Sequence, residues 1–192
     1  MKKLLLAALV LAVATGFSRM AVSADYIIDS KGAHASIQFR VKHLGYSWLT
    51  GRFNRFEGEF SYDAAAPEST TIEVRIDPAS IDSNHAERDK HLRSDDFLHV
   101  KRYKTAKFVG AGLGVLADGT RVLNGEFTLH GRTRAIQIEI SEIGEGKDPW
   151  GGYRHGFSGF TTINTDDYGM KSVLSAESRQ IEIFLNIEGI RQ

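Results

Sequence analysis

Apolar and polar residues alternate with a period of two over most of this chain, the pattern of strands with one buried and one wet face. Ala35, Ile37, Phe39 and Val41 fall on one side, and Ser36, Gln38, Arg40 and Lys42 on the other. The same holds for Phe56, Gly58, Phe60 and Tyr62; for Thr70, Ile72, Val74 and Ile76; and for Ala106, Phe108 and Gly110. It resumes with Leu123, Gly125, Phe127 and Leu129, with Ile136, Ile138 and Ile140, with the aromatic and Thr-rich run Tyr153 to Asn164, and with Ile181, Ile183, Leu185 and Ile187. His130 and Gly131 make a tight turn between two of these runs. The pattern predicts an all-β protein of about eight strands, mostly in sequential order and antiparallel, because each keeps a polar face. Such a set hides its edges by closing into an up-and-down barrel or by stacking as a two-sheet sandwich. The strands are long. Trp48 to Asp63 reads as one strand in which Phe53 and Phe56 are out of phase, so a bend or bulge is expected near Asn54.

One segment departs from the alternation. Asn84 to Leu92 predicts a short helix, with Asn84 as its cap and Glu87 three residues on, and Ser94 to Phe97 predicts a further turn. Inserted between strands, it is expected to cover one end or flank of the barrel.

The N-terminus has its own pattern. Lys2 and Lys3 precede an apolar run of 14 residues, Leu4 to Phe17, and then Val22-Ser23-Ala24. A spanning helix needs roughly 20 apolar residues. Small residues at 22 and 24 suit signal peptidase, so residues 1–24 read as a secretory signal peptide cleaved after Ala24. The remainder, 25–192, is one domain. Losing Lys2, Lys3 and Arg19 leaves 21 basic residues against 24 acidic, a net charge of −3, in which nothing points to nucleic acid or an anionic membrane surface as a partner. The chain has no cysteine, so it uses neither disulfides nor thiolate chemistry.

Candidate chemistry is thin. His85 and His91 are six apart and point to different faces of a helix, and no H-E-x-x-H pattern occurs, so no metal site is expected. Glu87, Asp89, Asp95 and Asp96 interleave with Arg88, Lys90 and Arg93, which reads as local ion pairs and caps. There is no nucleophile elbow and no phosphate-binding glycine loop. The inner faces say more. Ten phenylalanines follow the leader, with Gly58 between Phe56 and Phe60 and Gly125 between Leu123 and Phe127. Such glycines either leave room for an apolar ligand or ease barrel curvature, and spacing leaves both readings open.

Asn84 to Ser94 (NHAERDKHLRS), followed by Phe97, resembles a signature of the YceI-like family of periplasmic polyisoprenoid-binding proteins. Asp25-Tyr26 with Ile28-Asp29, Val41 to Trp48 (VKHLGYSW), Gly51, Phe53 and Phe56, Leu129, Gly131 and Thr133, Asp148 to Gly152, and Ile187 to Gly189 match in order along the chain. Lys104 and Ala135 stand where the family often has proline, which touches local turns only. The resemblance implies an extended lipocalin-like antiparallel β-barrel whose tunnel holds a linear isoprenoid, such as an isoprenoid quinone or its precursor. The lipid is then the ligand, with no other cofactor required, no stable membrane insertion, and a homodimer possible through an exposed edge. On this reading Phe39, Phe53, Phe56, Gly58, Phe60, Phe108, Gly125, Phe127 and Phe160 are the tunnel candidates. His43, Tyr46, Trp48, His85 and Arg88 are the candidates for gripping a headgroup. Two alternatives remain at this point: an enzyme acting on such a lipid through His85, Glu87, Asp89 and His91, and a stress-response barrel whose lipid is adventitious.

Overall fold

The computed structural model describes residues 23–170 and 175–192; most of the expected leader lies outside them. Eleven strands and one α-helix follow in order: β1 (Ala24–Ile28), β2 (Ser36–His43), β3 (Ser47–Phe53), β4 (Phe56–Tyr62), β5 (Thr71–Ile76), β6 (Ile81–Asp82), α1 (Ala86–Arg93), β7 (Ala106–Val115), β8 (Arg121–Leu129), β9 (Arg132–Lys147), β10 (Tyr153–Asn164) and β11 (Gln180–Arg191). Every pairing is antiparallel, and β1, β4, β5, β7, β8, β9, β10 and β11 close into an eight-stranded barrel by the pairing of β1 with β11.

The remaining three strands lengthen this barrel. β1 pairs with β11 at Gly189 to Arg191, and β2 pairs with β11 at Ile181 to Asn186, so β1 and β2 are two stretches along the same neighbour. β3 continues into β4 across a break at Asn54 and Arg55, where the out-of-phase phenylalanines placed a bend. β5 continues into β6 through one 3₁₀ turn, Pro78–Ser80. β6 is two residues long, has α1 beside it and pairs with only Arg52 and Phe53 of β3, so the rest of β3 keeps an open edge among the described residues.

The inner face is the one the alternation marks. Ile37, Phe60, Val74, Ile76, Phe108, Leu123, Phe127, Leu129, Ile138 and Ile187 are all buried. His130 and Gly131 both take positive φ, 50° and 72°, and form the two-residue β8–β9 turn. The β2–β3 turn is built the same way, but from Leu44 (φ 52°) and Gly45 (φ 79°). An aliphatic residue in that region costs about 1–2 kcal/mol, and Leu44 is exposed.

Three expectations need correction. The helix begins at Ala86, and its cap is His85, whose Nδ1 accepts from the Arg88 amide at 3.2 Å. Asn84 lies one residue outside with φ 61°, its amide donating to Asp82. Phe160 is on the outer face, paired with Phe184 at 5.3 Å between ring centroids, and Phe157 takes the inner position. Finally, Gly58 and Gly125 do not open space. A Cβ on Gly125 would lie 2.5 Å from the Phe108 ring and from the Val109 carbonyl, and one on Gly58 would lie 2.6 Å from the Glu73 carbonyl. They allow neighbouring groups to come close. Gly125→Ala therefore costs roughly 1–3 kcal/mol in urea denaturation. Gly146→Ala, where a Cβ meets nothing within 4 Å, stays within about 0.5 kcal/mol.

Candidate functional site

Inside the barrel is an apolar cavity of about 360 Å³. All strands except β1 line it, chiefly with Ile, Leu, Val and Phe. The reason is local: each strand turns its larger apolar residues inward, and a closed eight-strand barrel leaves space at its axis. Of the tunnel candidates, Phe39, Phe53, Phe60, Phe108 and Phe127 line the cavity. Phe56 packs against the core without reaching the lumen, and Phe160 is outside it.

The two ends differ. One end stops against Phe60, Tyr62 and Phe157, with Tyr26 and His155 packed behind them. Tyr26 stacks on Phe60 at 4.7 Å, and burial raises its hydroxyl pKa above the ordinary value. His155 is 1% exposed, and its Nε2 lies 2.9 Å from Glu142. Arg121 reaches both Glu142 and the Tyr62 hydroxyl. The strand alternation carries no mark of this layer beyond His155 standing within an aromatic run.

At the other end the wall turns polar. Lys42, His43, Arg88, His91 and Ser178 join Leu49 and Phe97 around the cavity. Of the headgroup candidates, His43 and Arg88 are therefore at this mouth. Arg88 is held there by bonds to Ser83 Oγ at 2.7 Å and to the Ser83 carbonyl, while buried Asp89 accepts from the Ser83 amide at 2.9 Å. His85 is used as the helix cap. Tyr46 is 87% exposed at the β2–β3 tip, and Trp48 lies on the outer face under the Arg40 guanidinium, 4.2 Å from the ring centroid. The four groups considered for acid–base chemistry do not converge: His85 caps, Glu87 is exposed beside Lys90, Asp89 is buried on Ser83, and His91 bonds Asp96.

Two buried hydroxyls in the wall have no hydrogen-bond partner among the described residues. Thr70 Oγ1 is near the closed end, and Thr165 Oγ1 follows β10 near the mouth. Each is a place where a ligand oxygen or a water would satisfy an otherwise unpaired group.

Asp29, His34 and Glu188 lie close enough together to suggest a cation site. The Arg154 guanidinium already occupies it, 2.7 Å from Asp29 and 2.5 Å from Glu188, with its Nε 2.9 Å from Asp148. The cluster ties β1, β10 and β11 together. Hydrogen bonds from His34 and then Arg154 hold the Asp29 carboxyl down at about 2. A depressed carboxyl stabilises the fold fully above its unfolded value, 3.8, and loses that contribution as pH falls toward 2. Asp29→Asn is therefore less stable than wild type at neutral pH, and its urea midpoint changes less between about pH 4 and 2.

A sequence profile described as "YceI-like domain" matches residues 26–189. Over the full length of both chains, the sequence is 50% identical to a UPF0312 protein of Shewanella sp. strain MR-7 and 49% identical to one of Ectopseudomonas mendocina. Among solved structures it is similar to Burkholderia cenocepacia BcnA (TM-score 0.73, 17% identity, covering 84% of this chain and 98% of that one). It is also similar to the Campylobacter jejuni YceI protein (TM-score 0.68, 25% identity, 79% and 90% covered). A third is a polyisoprenoid binding domain from Saccharophagus degradans (TM-score 0.63, 15% identity, 87% and 98% covered).

Proposed function

Since the chain belongs to the YceI-like family, we propose that it is a periplasmic binding and carrier protein for a long-chain isoprenoid lipid, such as an isoprenoid quinone or its precursor. The observation that carries this reading is the lumen inside the barrel, with a mainly apolar wall and its charged side chains gathered around one end. β10 and β11 have 12 residues each, roughly 40 Å of strand, so the lumen suits a chain better than a compact ligand. Each methylene withdrawn from water is worth about 0.8 kcal/mol, so a tail of some tens of carbons is held without directional contacts. In this reading the tail lies against Phe60, Phe108 and Phe127, and the headgroup sits at the mouth beside His43 and Arg88. The structural neighbour described as a polyisoprenoid binding domain supports the ligand class. The leader pattern of residues 1–24 supports the periplasmic address.

Native mass spectrometry of the protein purified from its own periplasm tests the reading. A discrete long-chain isoprenoid is expected in the wild type. Ile183→Trp projects an indole into the lumen from β11 and is expected to fold, by its far-ultraviolet spectrum, but to carry at most a tenth of the lipid. An empty wild type, or an equally loaded variant, overturns the assignment.

A further inference from the structure

The β2–β3 hairpin beside the mouth presents an unusual tip. Leu44 is 41% exposed and Tyr46 87% exposed, and neither belongs to the apolar core or the residues packed against it. Leu44 also occupies a left-handed turn position, φ 52°, that asparagine or glycine takes at lower cost. The tip is thus unfavourable twice over for the isolated fold, once in backbone and once in solvation. A strained position that the fold itself does not require points to a role outside it.

What lies behind the tip indicates the partner. Two residues back from Tyr46 along β3 is Trp48, 43% exposed. Arg40 and Lys42 lie over its ring, 4.2 Å and 5.4 Å from the centroid. From Ser36 to Phe53 the hairpin carries Arg40, Lys42 and Arg52 and no acidic residue of its own; Arg40 and Arg52 are paired with Glu182 and Asp82 of neighbouring strands, so Lys42 is the cation outside these pairs. An aliphatic and aromatic tip, followed about 7 Å back by tryptophan and basic side chains, has the layering of a bilayer interface: acyl boundary first, then headgroups. The helical segment at the same mouth mixes exposed Glu87, Asp95 and Asp96 with exposed Lys90, whereas the hairpin has no acidic residue of its own, so attraction to an anionic surface falls on the hairpin. The hairpin is also continuous with the lumen, since Lys42, His43 and Leu49 line the cavity.

We infer that the β2–β3 hairpin is a membrane-docking element that seats the tunnel mouth on an anionic phospholipid surface. The inference rests on the carrier reading for its purpose, because a long isoprenoid enters and leaves through a bilayer. Docking itself depends only on the hairpin. It is shallow and reversible, with Leu44 and Tyr46 at the acyl boundary and Trp48, Arg40 and Lys42 among the headgroups.

Flotation with phosphatidylglycerol/phosphatidylethanolamine vesicles tests this, using the exported protein and its Leu44→Asn/Tyr46→Ser double variant. Asparagine suits the turn, so the variant unfolds at the wild-type temperature or above. The wild type floats with the vesicles, less so at high salt, and the variant associates roughly 10-fold more weakly or worse. Uptake of solanesol from detergent micelles is the same for both. A wild type that does not float overturns the proposal, as does a variant that floats equally well. A wild type that only self-associates through the hairpin, without vesicle binding, overturns it too. If the wild type floats, the variant does not, and neither takes up solanesol, docking stands and the carrier reading falls.

Discussion

The structure depends on a short seam. Three residue pairs, Tyr26–Arg191, Ile27–Ile190 and Ile28–Gly189, with flanking backbone bonds from Asp29 to Glu188 and from Gln192 to Asp25, join the first strand to the last and close this end of the barrel, and β2 carries the closure on along the same strand. Without it, the apolar faces at this end border water and β1 and β11 present free edges. The seam is reinforced from both faces. Inside, Tyr26 stacks on Phe60, and Gly189 leaves room for the Phe60 ring. Outside the lumen, Arg154 gathers Asp29, Glu188 and Asp148. Because these contacts crowd one end of the barrel, that end is the closed one, and the lumen opens only where β1 has given way to β2.

The faces of the strands were legible because a period of two has a single inward set wherever it runs unbroken. The bend at Asn54 was legible for the same reason, since a break in phase is visible in the pattern itself. The pattern was ambiguous where aromatics recur at an odd spacing. Phe157 and Phe160 cannot share a face, and the choice is made by a bulge against β9 between Gly156 and Phe157, a property of two strands together. The space beside Gly125 was equally hidden. Whether a glycine leaves a hole or receives a neighbour's ring depends on Phe108 across the strand pair. The helix cap shifted from Asn84 to His85 because Asn84 takes the left-handed conformation that turns the chain out of β6, leaving His85 to meet the first amides.

The polar groups are divided by a similar logic. Most of those at the closed end are consumed: His155 through its Nε2, Glu142, Arg121 and the Tyr62 hydroxyl bond one another behind an aromatic layer, while the Thr70 hydroxyl stays unpaired among the described residues. Those at the mouth are only partly so. Arg88 is fixed by Ser83 while still facing the cavity, and His91 is bonded to Asp96 at an exposed site. The segment from Asn84 to Ser94 therefore performs a structural task. It holds a basic group at the opening by a buried carboxylate, Asp89, that never reaches the lumen.

A wall of this kind sets what selectivity the proposed carrier has. Apolar burial is non-directional and grows with area, so affinity rises by about 0.8 kcal/mol for each enclosed methylene and stops rising when the tail meets Phe60, Tyr62 and Phe157. Length is therefore sensed at the closed end and headgroup chemistry at the mouth, through separate groups. The same wall shapes release. No single contact holds the tail, so a chain withdrawing stepwise passes through water only if the mouth is not already against a lipid phase. With the mouth seated on a bilayer, each methylene leaving the lumen enters hydrocarbon at almost no cost. The barrel then need not open, and a lumen sealed by its aromatic layer at one end and bounded by an amphipathic hairpin at the other is sufficient for exchange.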